Sequence, residues 1–278
     1  MGFFKTLFTG KEETPEEKAE TQQRNNFDMF KYDGIQALHM GQVKFAIACL
    51  KHALDIHDDN EARRHLVNAL LRSEEYDEAI MHMEHLTKQE PQDMQMAISL
   101  AELYYQQEQY QQAIDTCDAI TAQFPDTPQP HYIKAKIHKA QGNPINAVAE
   151  ATIALSKQPD HTMTLMLRAT ILAEMQQYAE AEADIDQVLE TQPNNDEALV
   201  IKAQCRQTSQ HNDEAEQIYR NIIELNPFNA EAYLHLGQLL MQQGRTDEAT
   251  QLAEEALQYA PEQMEAINGK FESEGRDS

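Results

Sequence analysis

From about residue 26 onward, apolar residues return every three or four positions, and each stripe breaks after about a dozen residues at a short polar turn. In one stretch Leu165, Ala169 and Leu172 fall on one helical face, and Ala181, Ile185, Val188 and Leu189 fall on a second. That spacing predicts two amphipathic helices packed on a common core. Turn sequences such as QGNP (Gln141 to Pro144) and QQGR (Gln242 to Arg245) separate the members of a pair. The pair then recurs. Prolines stand at 91, 125, 159, 193, 227 and 261, and alanines at 79, 113, 147, 181, 215 and 249, each 34 residues after the last. Ala46 precedes Ala79 by 33, so the first copy is one residue shorter.

Each mark has a physical role. A proline past the second helix ends it, because proline lacks an N–H and restricts the residue before it. Small residues at Ala135, Ala169, Ala203 and Gly237 in the first helices, and the alanine series in the second, are expected to let helices approach closely. A leucine in place of Ala181 would then overpack its repeat.

The period, the small residue within the first helix, the early alanine of the second and the closing proline resemble the tetratricopeptide repeat. The final copy matches that pattern best, with Tyr233, Leu236, Gly237, Leu240, Gly244, Ala249, Ala256 and Pro261. Elsewhere Arg63 and His131 occupy the slot of the large aromatic, and His57 and Asp58 replace the first proline. The resemblance implies an all-α fold, a right-handed superhelical solenoid of helix-turn-helix repeats whose first helices line a concave groove. Seven repeats are expected over residues 26–263, after an apolar stripe and polar leader over 1–25. A short cap and an acidic disordered tail are expected over 264–278.

Charge divides along the same lines. The chain carries a formal net charge of −25. Taking the first fourteen residues of each repeat as its first half, those halves hold ten Lys/Arg and eight Asp/Glu, and the second halves six and thirty. The expected groove is therefore near neutral, with basic spots. Arg64, Asn68 and Arg72 recur at i, i+4 and i+8 beside His65, and Lys136 and Lys139 share a face. Tyr105, Tyr132 and Met166 fall on slots that face the groove in the family, although the slot shared by Tyr132 and Met166 is also one where repeats pack together. This set predicts a groove for a peptide with acidic and apolar side chains. Some relatives clamp a terminal carboxylate with Lys and Asn residues. Arg64 and Asn68 match the first pair of that clamp, but Ser99, Gln129 and Ile133 leave it incomplete.

The composition narrows the classes further. Acidity on this scale argues against a nucleic-acid partner, which needs a basic footprint. Cys49, Cys117 and Cys205 lie far apart in apolar patterns, which predicts inert core thiols in a reducing, cytoplasmic setting. His82 and His85 flank Glu84 on a second helix, read as a solvated face because no further ligands cluster nearby. With no phosphate loop or nucleophile motif, neither an enzyme nor a cofactor is expected. The opening MGFFKTLFTGK fits the Met-Gly-x-x-x-Thr acylation pattern at Gly2, a match frequent by chance. Its Phe3, Phe4, Leu7 and Phe8 form a stripe suited to capping the first repeat, docking in the groove or touching a membrane surface. The function expected is a non-catalytic scaffold for a protein or peptide partner, with self-association open. The alternative is an assembly or recruitment factor tethered through residues 1–8.

Overall fold

The structure, a computed structural model, describes residues 14–259. The apolar stripe of residues 3–8 and the cap and tail expected after residue 263 lie outside them. The chain divides into two compact units, Met1–Pro125 and Asp126–Ser278. The first contains α1 (Pro15–His39), α2 (Val43–Ile56), α3 (Asn60–Arg72), α4 (Tyr76–Gln89), α5 (Met94–Gln106) and α6 (Tyr110–Gln123). The second contains α7 (Gln129–Ala140), α8 (Pro144–Lys157), α9 (Thr162–Glu174), α10 (Tyr178–Thr191), α11 (Asp196–Thr208), α12 (Asn212–Leu225), α13 (Ala230–Gln242) and α14 (Thr246–Tyr259). No strand occurs among the described residues. The fold is all-α.

The helix boundaries follow from local chemistry. Among the described prolines, α4, α6, α8, α10 and α12 each end two residues before Pro91, Pro125, Pro159, Pro193 and Pro227. First helices start on side-chain caps except α7 and α9, which have none. Asp59, Asp93, Asn195 and Asn229 accept from the backbone N–H of Ala62, Met96, Ala198 and Ala232 at 2.7–3.0 Å. Thr14 and Glu17 form a reciprocal capping box at the start of α1, with Pro15 at its first position. That helix runs on without a break to His39, so the division expected at residue 25 falls inside it.

Every first helix ends in one and the same turn. Gly41, Glu74, Glu108, Gly142, Gln176, Gln210 and Gly244 all take left-handed φ values of 57–77°. The next residue in each donates its N–H back across the turn, as Gln42 does to Ala37 and Gln177 to Leu172, both at 2.8 Å. These are Schellman closures, in which a left-handed residue satisfies carbonyls the helix end leaves open. Three of the seven positions carry glycine. The other four accept the steric penalty of a Cβ at positive φ.

Small residues sit where helices meet. Ala46, Ala79, Ala113, Ala147, Ala181 and Ala215 have no exposed surface. Ala135, Ala169 and Ala203 are likewise fully buried in unit 2. In unit 1 the corresponding positions are Gly34, Val67 and Ala101, and at Gly34 an added Cβ would lie 2.6 Å from the Leu50 Cγ. Gly237 departs from the expectation of close approach, since a Cβ there meets nothing within 4 Å. The unit 1 core runs through Leu50, Leu66, Leu70, Met83 and Leu86. That of unit 2 runs through Leu165, Ile185, Tyr219, Ile222, Leu236 and Leu239.

Candidate functional site

Most of the expected groove residues of unit 1 are engaged within the protein. Arg64 forms an ion pair with Glu90 and donates to Asp93 at 2.7 Å, both in the loop between α4 and α5. Burial works against Asp93 ionising, but the Met96 N–H and the Arg64 guanidinium hold its carboxyl below the usual range. Arg72 points the other way and donates to the Leu38 carbonyl at 3.1 Å, near the end of α1. The i, i+4, i+8 face predicted on α3 is present, yet its two arginines fasten that helix to the segments on either side. Asn68, between them, is exposed, and His65 is half-buried. Tyr105 on α5 lies 6.1 Å from the Tyr110 ring.

The unit 2 residues behave in the same way. Lys139 pairs with Glu174 of α9 at 3.0 Å. The Lys136 ammonium sits 5.6 Å from the centre of the Tyr132 ring, whose edge meets His161. Met166 is 7% exposed and belongs to the core of α9 and α10, so it offers no surface to a ligand. Ile98 and Val200, in its slot, are buried as well. Within the protein, three of the expected groove residues therefore already have partners or packing. Arg64 and Lys139 are counter-ions to the protein's own carboxylates, and Met166 is packing.

What unit 2 does hold is a recess of about 410 Å³ among α9, α10, α11 and α13, where the polar side chains of Thr170, Glu174, Gln204, Gln207, Thr208 and His235 lie beside Ala173, Tyr178, Ile201 and Cys205. Gln204 meets the His235 ring nitrogen at 2.8 Å, and that ring stacks on Tyr219 at 5.9 Å. Gln207 accepts from the Tyr219 hydroxyl at 3.2 Å and its amide nitrogen reaches Gln242 at 3.5 Å. Each amide carries two donor hydrogens and two acceptor lone pairs. The bonds formed orient both side chains and leave part of that capacity facing the recess. The signal was available in the sequence. Thr170 and Gln204 repeat the slot of Lys136, and Ala173 and Gln207 the slot of Lys139, at the 34-residue period. They carry no charge, the feature on which the groove expectation rested.

The two departures from the aromatic slot also acquire a reason. Arg63 donates to His82 Nδ1 at 2.7 Å and to Asp58 at 2.5 Å. His131 and Lys134 converge on Glu150 at 2.7 and 3.1 Å. One helix turn on in the next repeat, Arg168 forks onto Asp184, which is 5% exposed. A polar bridge to the second helix replaces the aromatic contact in these repeats. His82, expected on a solvated face, is 8% exposed, and burial together with the Arg63 charge lowers its pKa. Among the described residues no group of three or more His, Cys, Asp or Glu is placed to hold a metal ion. Cys49, Cys117 and Cys205 form no disulfide and are buried, and burial pushes the Cys205 thiol up to about 11. No described helix is long and apolar enough to cross a membrane.

Comparison with known proteins agrees with this architecture. A tetratricopeptide-repeat family model matches residues 70–137, and the model for the N-terminal tetratricopeptide-repeat region of Psidin matches residues 140–257. The chain belongs to the tetratricopeptide-repeat family. No curated protein matches its sequence. Among solved structures it is similar to PilW, a widely conserved type IV pilus biogenesis factor. The TM-score is 0.62 at 16% identity, over 75% of this chain and 97% of that one. It is also similar to PilF of Pseudomonas aeruginosa, at 0.57 and 15% over 76% and 96%. A third is YrrB, described as having an unusual peptide-binding site, at 0.55 and 18% over 68% and 97%. At such identities the likeness is one of fold. That fold supports a protein or peptide partner.

Proposed function

We propose that this protein is a non-catalytic scaffold that holds an extended peptide segment along the exposed face of the first helices of unit 2, with the recess that Gln204 and Gln207 line as the main contact. The observation that carries this reading is the pairing of Gln204 with His235 and of Gln207 with Tyr219 around an open recess. Held amides present donor and acceptor side by side, as a peptide main chain requires, and lose little side-chain freedom on binding. Tyr132 and Lys136 on α7, and Asn68 on α3, are further contact surfaces in their respective units. The solved structure of YrrB is described as that of a peptide-binding repeat protein, which fits this reading.

The test is selection of a peptide from a displayed random library on the full chain, followed by calorimetric titration. Gln204→Ala/Gln207→Ala should weaken the selected peptide by tenfold or more while circular dichroism stays unchanged. Equal affinity for wild type and the double variant would sink the reading.

A further inference from the structure

Helix α1 buries Phe27, Gly34, Ala37 and Leu38 against its neighbours. On the opposite side Met29, Tyr32 and Met40 stand 49%, 62% and 69% exposed. With about 100° of turn per residue, these three and Gln36 fall within an arc of about 80°. Gln36 donates to the Tyr32 hydroxyl at 3.1 Å, which fixes both side chains on that stripe. Scattered apolar residues on a surface need no explanation, but an aligned set on the back of a helix has no partner among the described residues.

The occupant can be argued from the chain itself. We infer that Phe3, Phe4, Leu7 and Phe8 cover this stripe and close the exposed side of the first repeat. Apart from these four, the segment before Thr14 contains only small, polar or charged residues after Met1. It leads directly into α1 through the Thr14 capping box, so it is tethered at the end of the helix it is to cover. The lengths agree. Met29 lies about 21 Å along α1 from Pro15 at a rise of 1.5 Å per residue. The seven residues from Phe8 to Pro15 reach at most about 23–25 Å when extended. From Met29 to Met40 is about 16 Å of helix, and an extended Phe8-to-Phe3 stretch spans about 17 Å.

A second copy of the chain is the weaker candidate. Three side chains on one helix offer a few hundred Å², short of the roughly 800 Å² per partner of a stable interface. A tethered segment avoids that requirement, because its effective concentration is of millimolar order.

Oxidation of paired cysteines in the full chain tests the inference. Phe8→Cys is combined with Met29→Cys, on the stripe, or with Asp28→Cys, which is exposed one residue off it. The native cysteines Cys49, Cys117 and Cys205 are only 5%, 0% and 1% exposed and do not compete. Docking predicts an intramolecular disulfide that forms at least tenfold faster with Met29→Cys than with Asp28→Cys, at a rate independent of protein concentration. Equal rates, no disulfide, or dimers whose formation rises with concentration would each overturn it, the last in favour of a second copy. Both partner positions are exposed, so the variants retain the fold, which circular dichroism verifies.

Discussion

The Arg64 guanidinium donates to the Asp93 carboxylate at 2.7 Å, and the same carboxylate caps α5 through the Met96 N–H at 3.0 Å. One acidic residue thus starts the first helix α5 and anchors α3, the first helix of the preceding repeat. Arg64 is a fastener between consecutive repeats.

Arg64→Ala is therefore expected to act on stability and leave ligand binding in place. The pair is about one-third exposed on the arginine side, so solvent screening limits the loss to roughly 0.5–1 kcal/mol. Urea unfolding monitored by circular dichroism measures it. An unchanged midpoint together with lost peptide affinity would return Arg64 to the binding surface.

Four turns carry a side chain at positive φ where three carry glycine. Gln176→Gly should relieve a left-handed penalty of about 1–2 kcal/mol, less the greater chain entropy that glycine gives up. The expected net gain is about 0.5–1 kcal/mol. Gly142→Ala, at the same place in its own repeat, should lose a comparable amount. Thermal midpoints of the two variants check the pair of signs.

Two glycines at equivalent positions should respond in opposite ways. In Gly34→Ala the new methyl meets the fully buried Leu50 at 2.6 Å, and overpacking of this kind costs about 1–3 kcal/mol. In Gly237→Ala the methyl meets nothing within 4 Å, and helix propensity favours alanine by up to about 1 kcal/mol. Ala181→Leu, at a position with no exposed surface, belongs with the first. Denaturant midpoints decide.

His82 gives unit 1 an acid sensitivity. Its pKa is depressed below 6.5 by burial and by Arg63, with Glu78 opposing and Lys51 reinforcing. The unfolded chain therefore binds the proton more readily. The stability contributed is complete above about pH 6.5 and is lost as pH falls from there through the folded pKa. The advantage of wild type over His82→Gln should shrink between pH 7.5 and 5.5, as read by urea unfolding at each pH. A constant difference would mean that His82 does not titrate differently on folding.

The fold was legible because its marks are local. Proline two residues past a helix, alanine at a crossing and the 34-residue period need no knowledge of distant contacts. The site was less so. The sequence displays Arg64 and Lys139 as cations on first helices, but their counter-ions lie 26 to 35 residues away among 47 carboxylates. Only the stacked repeats select Glu90, Asp93 and Glu174. The left-handed turns at Glu74, Glu108, Gln176 and Gln210 were hidden because Glu and Gln, unlike glycine, do not advertise a positive φ. Gln204 and Gln207 share the register of Lys136 and Lys139 but carry no charge to mark them.

The salt dependence of peptide affinity tests the central claim most directly. A recess lined by amides, beside cations already paired with carboxylates, should bind a selected peptide with nearly the same Kd at 50 and 500 mM NaCl, within about twofold, because screening acts on charges and little on neutral hydrogen bonds. A tenfold or greater loss of affinity at high salt would show that the basic side chains engage the ligand, and would contradict the account.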